Sequence, residues 1–139
     1  MAGIASLVLA ISSGVDIVAR TSFAIGQLIV EWKDAPAQVL SLSEEVQQFH
    51  NISKKLKEFS SKLEACSRDD IYVAAITSLI SRAEPQWAQL QHITQSLTGP
   101  GGRTRKQKWL RVAHKVSSLQ ERLRGLRFAI IELLSIHIA

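Results

Sequence analysis

Charge is what the first 30 residues lack. Between Met1 and Val30 only Asp16 and Arg20 are ionised, and most of the rest is Ile, Val, Leu, Ala, Gly and Ser. No Lys or Arg precedes Arg20, so the positive start of a secretory signal is missing. The uncharged run ends at Val15, short of the roughly 18 residues that a permanent membrane anchor needs. Glycine stands at position 3 and not directly after the initiator Met, which excludes myristoylation. Cysteine is scarce as well: Cys66 is alone, no internal disulfide can form, and the cytosol is the expected compartment. Catalytic and metal-binding patterns are absent. His50, His92, His114 and His137 show no zinc-ligand spacing, Gly99 to Gly102 fails the phosphate-loop spacing, and there is no nucleophile elbow. No enzyme activity, metal or cofactor is expected.

What the opening segment does have is a stripe. On a helix Ile4, Leu7, Val8, Ile11, Val15 and Val18 share one face, while Gly3, Ser6, Ala10 and Ser13 leave the other small and nearly neutral. A helix resting on a water surface normally carries charges on its outer side. This one suits a protein core or lipid, and reads as a short helix over 1–13 that can be packed away or released, with Ile4, Leu7, Val8 and Ile11 as membrane-insertion residues. Ser12-Ser13-Gly14 lowers helix propensity and marks Gly14 as a hinge. The next helix, 15–33, is apolar all round, as a central buried helix would be.

The remaining chain reads as three long helices over 36–66, 69–98 and 104–138. Lys33-Asp34-Ala35-Pro36 ends one helix and opens the next, with Asp34 as its cap. Val39, Leu42, Val46, Phe49, Ile52, Leu56, Phe59, Leu63 and Cys66 then recur at threes and fours, and Cys66 is expected as a buried structural thiol. Glu44, Glu45, Lys54, Lys55, Lys57, Glu58 and Lys62 are expected to face water. Ile76, Ile80, Ala83, Trp87, Leu90, Ile93 and Leu97 mark a further helix, which Pro85 is expected to kink or split near Ala83 and Glu84. Thr98-Gly99-Pro100-Gly101-Gly102 breaks the chain. Trp109, Val112, Val116, Leu119, Leu123, Leu126, Ile130, Leu133 and His137 continue the pattern to the end of the sequence, still apolar, as expected of the N-terminal part of a longer protein or of a helix that packs to its last residue. With no strand signal the fold class is all-α: a single domain, an up-and-down bundle of four long helices plus a short N-terminal one. A chain of 139 residues, 46% hydrophobic, can close such a core unaided.

Net charge is +5 with a pI near 9.7, and it is unevenly spread. Between Arg103 and Arg127 stand nine of the 17 basic residues against Glu121 alone. Lys108, Arg111, Lys115 and Arg122 form a stripe beside the apolar face of the last helix, placed to contact anionic lipid, where each basic residue contributes about 1 kcal/mol. No motif for reading nucleic acid accompanies them, so nucleic acid is not an expected partner.

Ala2-Gly-Ile-Ala-Ser-Leu, Lys33-Asp-Ala-Pro36, the long leucine-rich helix after it, the glycine-rich break, and Lys108-Trp109-Leu110 leading into Leu119, Leu123 and Leu126 together resemble the HeLo-like and SesA-type N-terminal domains of fungal NLR-like (STAND) proteins. The resemblance spans nearly the whole chain; Pro85 and Gln86-Trp87-Ala88-Gln89 have no counterpart in it. It implies an α-helical bundle that works with a C-terminal or separately encoded NLR module. It also implies a cell-death effector of heterokaryon incompatibility and innate immunity, moving from cytoplasm to plasma membrane, self-associating, and permeabilising the membrane through its released N-terminal helix. The alternative is a homotypic signalling adaptor without membrane activity.

Overall fold

The structure, a computed structural model, describes the backbone of 3–66, 70–99 and 102–138 and the side chains of 8–59, 74–99 and 104–135. Four helices account for it: α1 (Gly3–Glu31), α2 (Ala37–Cys66), α3 (Asp70–Leu97) and α4 (Gly102–Ile138), with no strand among the described residues. The fold is an all-α bundle, as the periodicity predicts. The separate short N-terminal helix does not appear. The segments expected as 1–13 and 15–33 form one helix, unbroken at Gly14.

The reason lies in the packing around Gly14. A Cβ placed there would sit 3.4 Å from Ile80 Cγ2, so α1 passes directly against α3 at this point. Ile11 before it and Val18 after it are both buried. That burial outweighs the roughly 1 kcal/mol helix penalty of one glycine. Because 3.4 Å is ordinary van der Waals contact, Gly14→Ala is expected to stabilise the fold by about 0.5–1 kcal/mol, seen as a rise of a few degrees in Tm; a lower Tm would mean that the helix does bend here.

Trp32 to Pro36 reverse the chain between α1 and α2. Trp32 N–H donates to the Leu28 carbonyl, Ala35 N–H to Trp32, and Val39 N–H to Pro36. Asp34 is exposed and its side chain makes no hydrogen bond among the described residues: with α2 starting after Pro36, it stands too far back to reach the first free amides. Nor does Pro85 split α3, which runs through it. The ring lies on the exposed side, and Ala83, Trp87 and Leu90 hold both flanks in the core. In the turn the proline loosens, the Gln86 amide donates to the Arg82 carbonyl at 3.5 Å. Gly99, at φ 96°, takes the left-handed conformation that ends α3.

α1 packs against α2 and α3, and α4 packs against the same two, so α1 and α4 occupy opposite corners. Residue numbers rise together along α1 and α3 (Gly14 beside Ile80, Gln27 in one groove with Gln95) and along α2 and α4 (Gln38 to Ala113, Glu45 to Arg127). Each helix thus has one parallel and one antiparallel neighbour. Phe49 of α2 and Trp87 of α3 meet across the centre, ring centroids 5.0 Å apart and edge to face. At one end Trp32 sits 6.2 Å from Trp109, also edge to face.

The helix faces follow the predicted series closely. Val39, Leu42, Val46, Phe49, Leu56 and Phe59 are buried, as are Ile76 through Leu97 at the expected positions and Trp109, Val116, Leu119, Leu123 and Ile130. Leu63, Cys66 and His137 lie outside the described side chains.

Candidate functional site

The inner side of α1 is committed to the bundle. Ile11, Val18, Ile25 and Leu28 are buried, and Thr21 among them turns its hydroxyl onto the Ile17 carbonyl at 2.7 Å, so its polar group is satisfied within the helix. The outer side is where expectation fails. The segment from Val15 to Trp32 is not buried all round: Phe23 is 68% and Val30 79% exposed, and Leu9 further up is 72% exposed. Leu9, Ser13, Asp16, Arg20, Phe23, Gln27 and Val30 are all exposed and follow one another at steps of four and three, a single line along the helix. Three of the six large apolar side chains that are exposed among the described residues, Leu9, Phe23 and Val30, thus share one line of one helix, interspersed with polar residues.

The two charges on this line neutralise each other. Asp16 accepts a hydrogen bond from Arg20 one turn on. That bond first, and the nearby negative charge second, raise the Arg20 pKa above its ordinary value. Beside the line, Ala19, Arg20, Phe23, Ala24 and Gln27 of α1 form an open groove with Gln91 and Gln95 of α3 and Thr98 just after it.

Of the predicted insertion residues, Ile11 points into the core, where it lines a void of about 20 Å³, one water in size, with Phe49, Ile80 and Trp87. Val8 is half-buried. The Ile4 and Leu7 side chains lie outside the described residues. The outward apolar residues, Leu9, Phe23 and Val30, were missed because the inward stripe is the more hydrophobic one. Their signal was the heptad step linking Leu9, Asp16, Phe23 and Val30.

All four members of the predicted basic stripe, Lys108, Arg111, Lys115 and Arg122, are exposed. Lys108 Nζ donates to the Ser96 carbonyl of α3 at 3.3 Å. Among the described residues Arg111, Lys115 and Arg122 have no acidic partner. The basic block as a whole is not a single surface, however. Arg105 is buried, donates through Nε to the Leu97 carbonyl at 2.9 Å, and stands 3.5 Å from Glu31, tying α4 to the ends of α3 and α1. Arg124 and Arg127 donate to the two oxygens of Glu45 at 2.9 and 2.7 Å.

Glu45 is thus a buried carboxylate and not a water-facing one. Periodicity carried this information: Leu42, Glu45, Phe49, Ile52, Leu56 and Phe59 share one three-four row, and so do Arg105, Trp109, Val112 and Val116. Two bonds reinforce the contact, Gln38 Nε2 to the Ala113 carbonyl at 3.0 Å and Gln120 Nε2 to Ser41 Oγ at 3.1 Å. The α2–α4 seam is therefore polar where the other three are largely apolar.

Three or more His, Cys, Asp or Glu side chains do not come together anywhere among the described residues. His92 and His114 are exposed, and His50 is half-buried with Nδ1 unpartnered. The site is a surface, built from one apolar line on α1 and one basic line on α4 at the opposite corner. No protein-family model, curated protein or solved structure matches the chain.

Proposed function

We propose that this bundle is a membrane-permeabilising effector whose active element is α1, the role that the resemblance to HeLo-like and SesA-type domains of fungal NLR-like proteins implies. One observation carries the reading. Val8–Glu31 is a 24-residue helical stretch of mean hydropathy 1.5, and only 22% of its most apolar window is buried. At 1.5 Å per residue it extends about 36 Å, enough for a hydrocarbon layer about 30 Å thick. Asp16 and Arg20, already paired, enter lipid as a neutral couple at lower cost than either charge alone. Release of α1 exposes Ile11 and uncovers the rest of Val8. Lys108, Arg111, Lys115 and Arg122 hold anionic headgroups meanwhile. In the cell this is cell-death execution at the plasma membrane, triggered through an NLR module.

Dye release from vesicles of neutral and of anionic lipid tests it. Wild-type protein is expected to leak anionic vesicles. Phe23→Glu, on the exposed line, is expected to reduce leakage at least tenfold with the circular dichroism unchanged. Ile11→Glu is the wrong probe, because a buried carboxylate there unfolds the bundle. Absence of leakage by the wild type from either vesicle sinks the reading. The second reading, a homotypic adaptor, is favoured by the same α1 line, since four-three spacing is what a partner helix packs against.

A further inference from the structure

We propose that the exposed line of α1 is an interface with a second copy of this chain, the two α1 helices lying antiparallel across a two-fold axis at the level of Val18. The inference rests on the reading of this line as the functional surface, and not on membrane activity.

The order of residues along the line selects this partner. About an axis at position 18, Asp16 of one copy faces Arg20 of the other, twice, so two intrahelical pairs become a four-charge cluster with every carboxylate between two guanidinium groups. In a parallel pair like would face like, Asp16 on Asp16 and Arg20 on Arg20, which is repulsive. The same axis sets Phe23 against Ser13, a large side chain over a small one. Leu9 falls against the aliphatic stem of Gln27. All six residues are exposed in the single chain and need no rearrangement to pair. The arrangement is self-complementary, as a two-fold contact must be.

Size sets the strength. From Leu9 to Gln27 the paired line runs about 28 Å, and a helix face about 10 Å wide covers roughly 280 Å² per copy. Stable complexes bury about 800 Å² per partner. With the adjoining α3 edge at Gln91 and Gln95 the α1 line is still small for a stable complex, so the dimer it makes is weak and reversible. Such a dimer covers Leu9 and Phe23 in water and gives them up on dilution or at a competing apolar surface.

Light scattering on the whole chain tests the mass, with a dimer expected at tens of micromolar and dissociation on dilution. Asp16→Arg and Arg20→Asp are each expected to weaken association at least tenfold. An equimolar mixture of these two variants is expected to recover it, because each altered charge then meets its opposite. Direction is read by oxidation in a Cys66→Ser background: Leu9→Cys mixed with Gln27→Cys is expected to cross-link, and Leu9→Cys alone is not. A monomer at 200 µM, a dimer indifferent to both charge changes, or cross-linking of Leu9→Cys with itself overturns the proposal. Leakage assays on the same proteins keep the two readings apart. A charge-sensitive antiparallel dimer that never leaks vesicles sinks only the membrane role, and leakage by a protein that is monomeric throughout sinks only the dimer.

Discussion

Glu45→Ala is expected to destabilise the bundle by about 3–5 kcal/mol, the usual cost of leaving one member of a buried charge cluster unpaired. The Glu45 side chain is 5% exposed and that of Arg127 11%, whereas Arg124 reaches solvent at 45%. Removing the carboxylate strands Arg127 inside the α2–α4 seam, while Arg124 can swing out and rehydrate. Arg127→Ala should cost less, because Glu45 keeps Arg124 as a partner. Replacing both Glu45 and Arg127 by leucine should recover most of the loss, since apolar side chains of similar volume suit such a seam at least as well. Guanidinium unfolding followed by helicity measures all three. If Glu45→Ala falls within 1 kcal/mol of wild type, the carboxylate is hydrated and the seam is open in solution. The seam is also where α4 has least apolar contact, so loss of Glu45 should raise hydrogen exchange along α4 before it does so along α1.

Trp87→Ala is expected to cost about 3–5 kcal/mol for a different reason. Trp87 is 1% exposed, lies edge to face on Phe49, and borders the small void beneath Gly14. Truncation removes the side chain that joins α3 to α2 across the centre, and the new space merges with the void. Trp87→Phe should cost about half as much, by keeping an aromatic edge on Phe49. The remaining Trp32 and Trp109 still report unfolding by fluorescence, because they form a separate pair at the end of the bundle. A loss below 1 kcal/mol for Trp87→Ala would mean that the centre collapses to fill the gap.

Together these two changes separate fold from function. Both act through the interior and leave the α1 line intact, so any activity they lose should track the fraction unfolded. Phe23→Glu acts in the opposite manner, altering the surface and sparing the core. A protein whose leakage and self-association fall with Phe23→Glu at unchanged stability uses that surface directly.

Helix type and helix ends were written locally. Hydrophobic recurrence at threes and fours, Pro36, and the glycine-rich break lie within a few residues of what they control, so α2, α3 and α4 could be placed from the chain alone. The exposure of Lys108, Arg111, Lys115 and Arg122 was equally local, since they flank a well-marked apolar row. Tertiary structure decided which side of α1 faces out. Asp16, Arg20 and Gln27 mark an outward line in the sequence, but only the positions of α2 and α3 bury Ile11 and leave Leu9, Phe23 and Val30 beside those polar residues in solvent. Tertiary structure also carried α1 through Gly14 and α3 through Pro85, because burial on both flanks outweighs the local penalty. The apolar rows place Glu45 and Arg105 on inward faces, but which distant group meets each of them, Arg124 and Arg127 for the one and Glu31 for the other, was set by the tertiary structure.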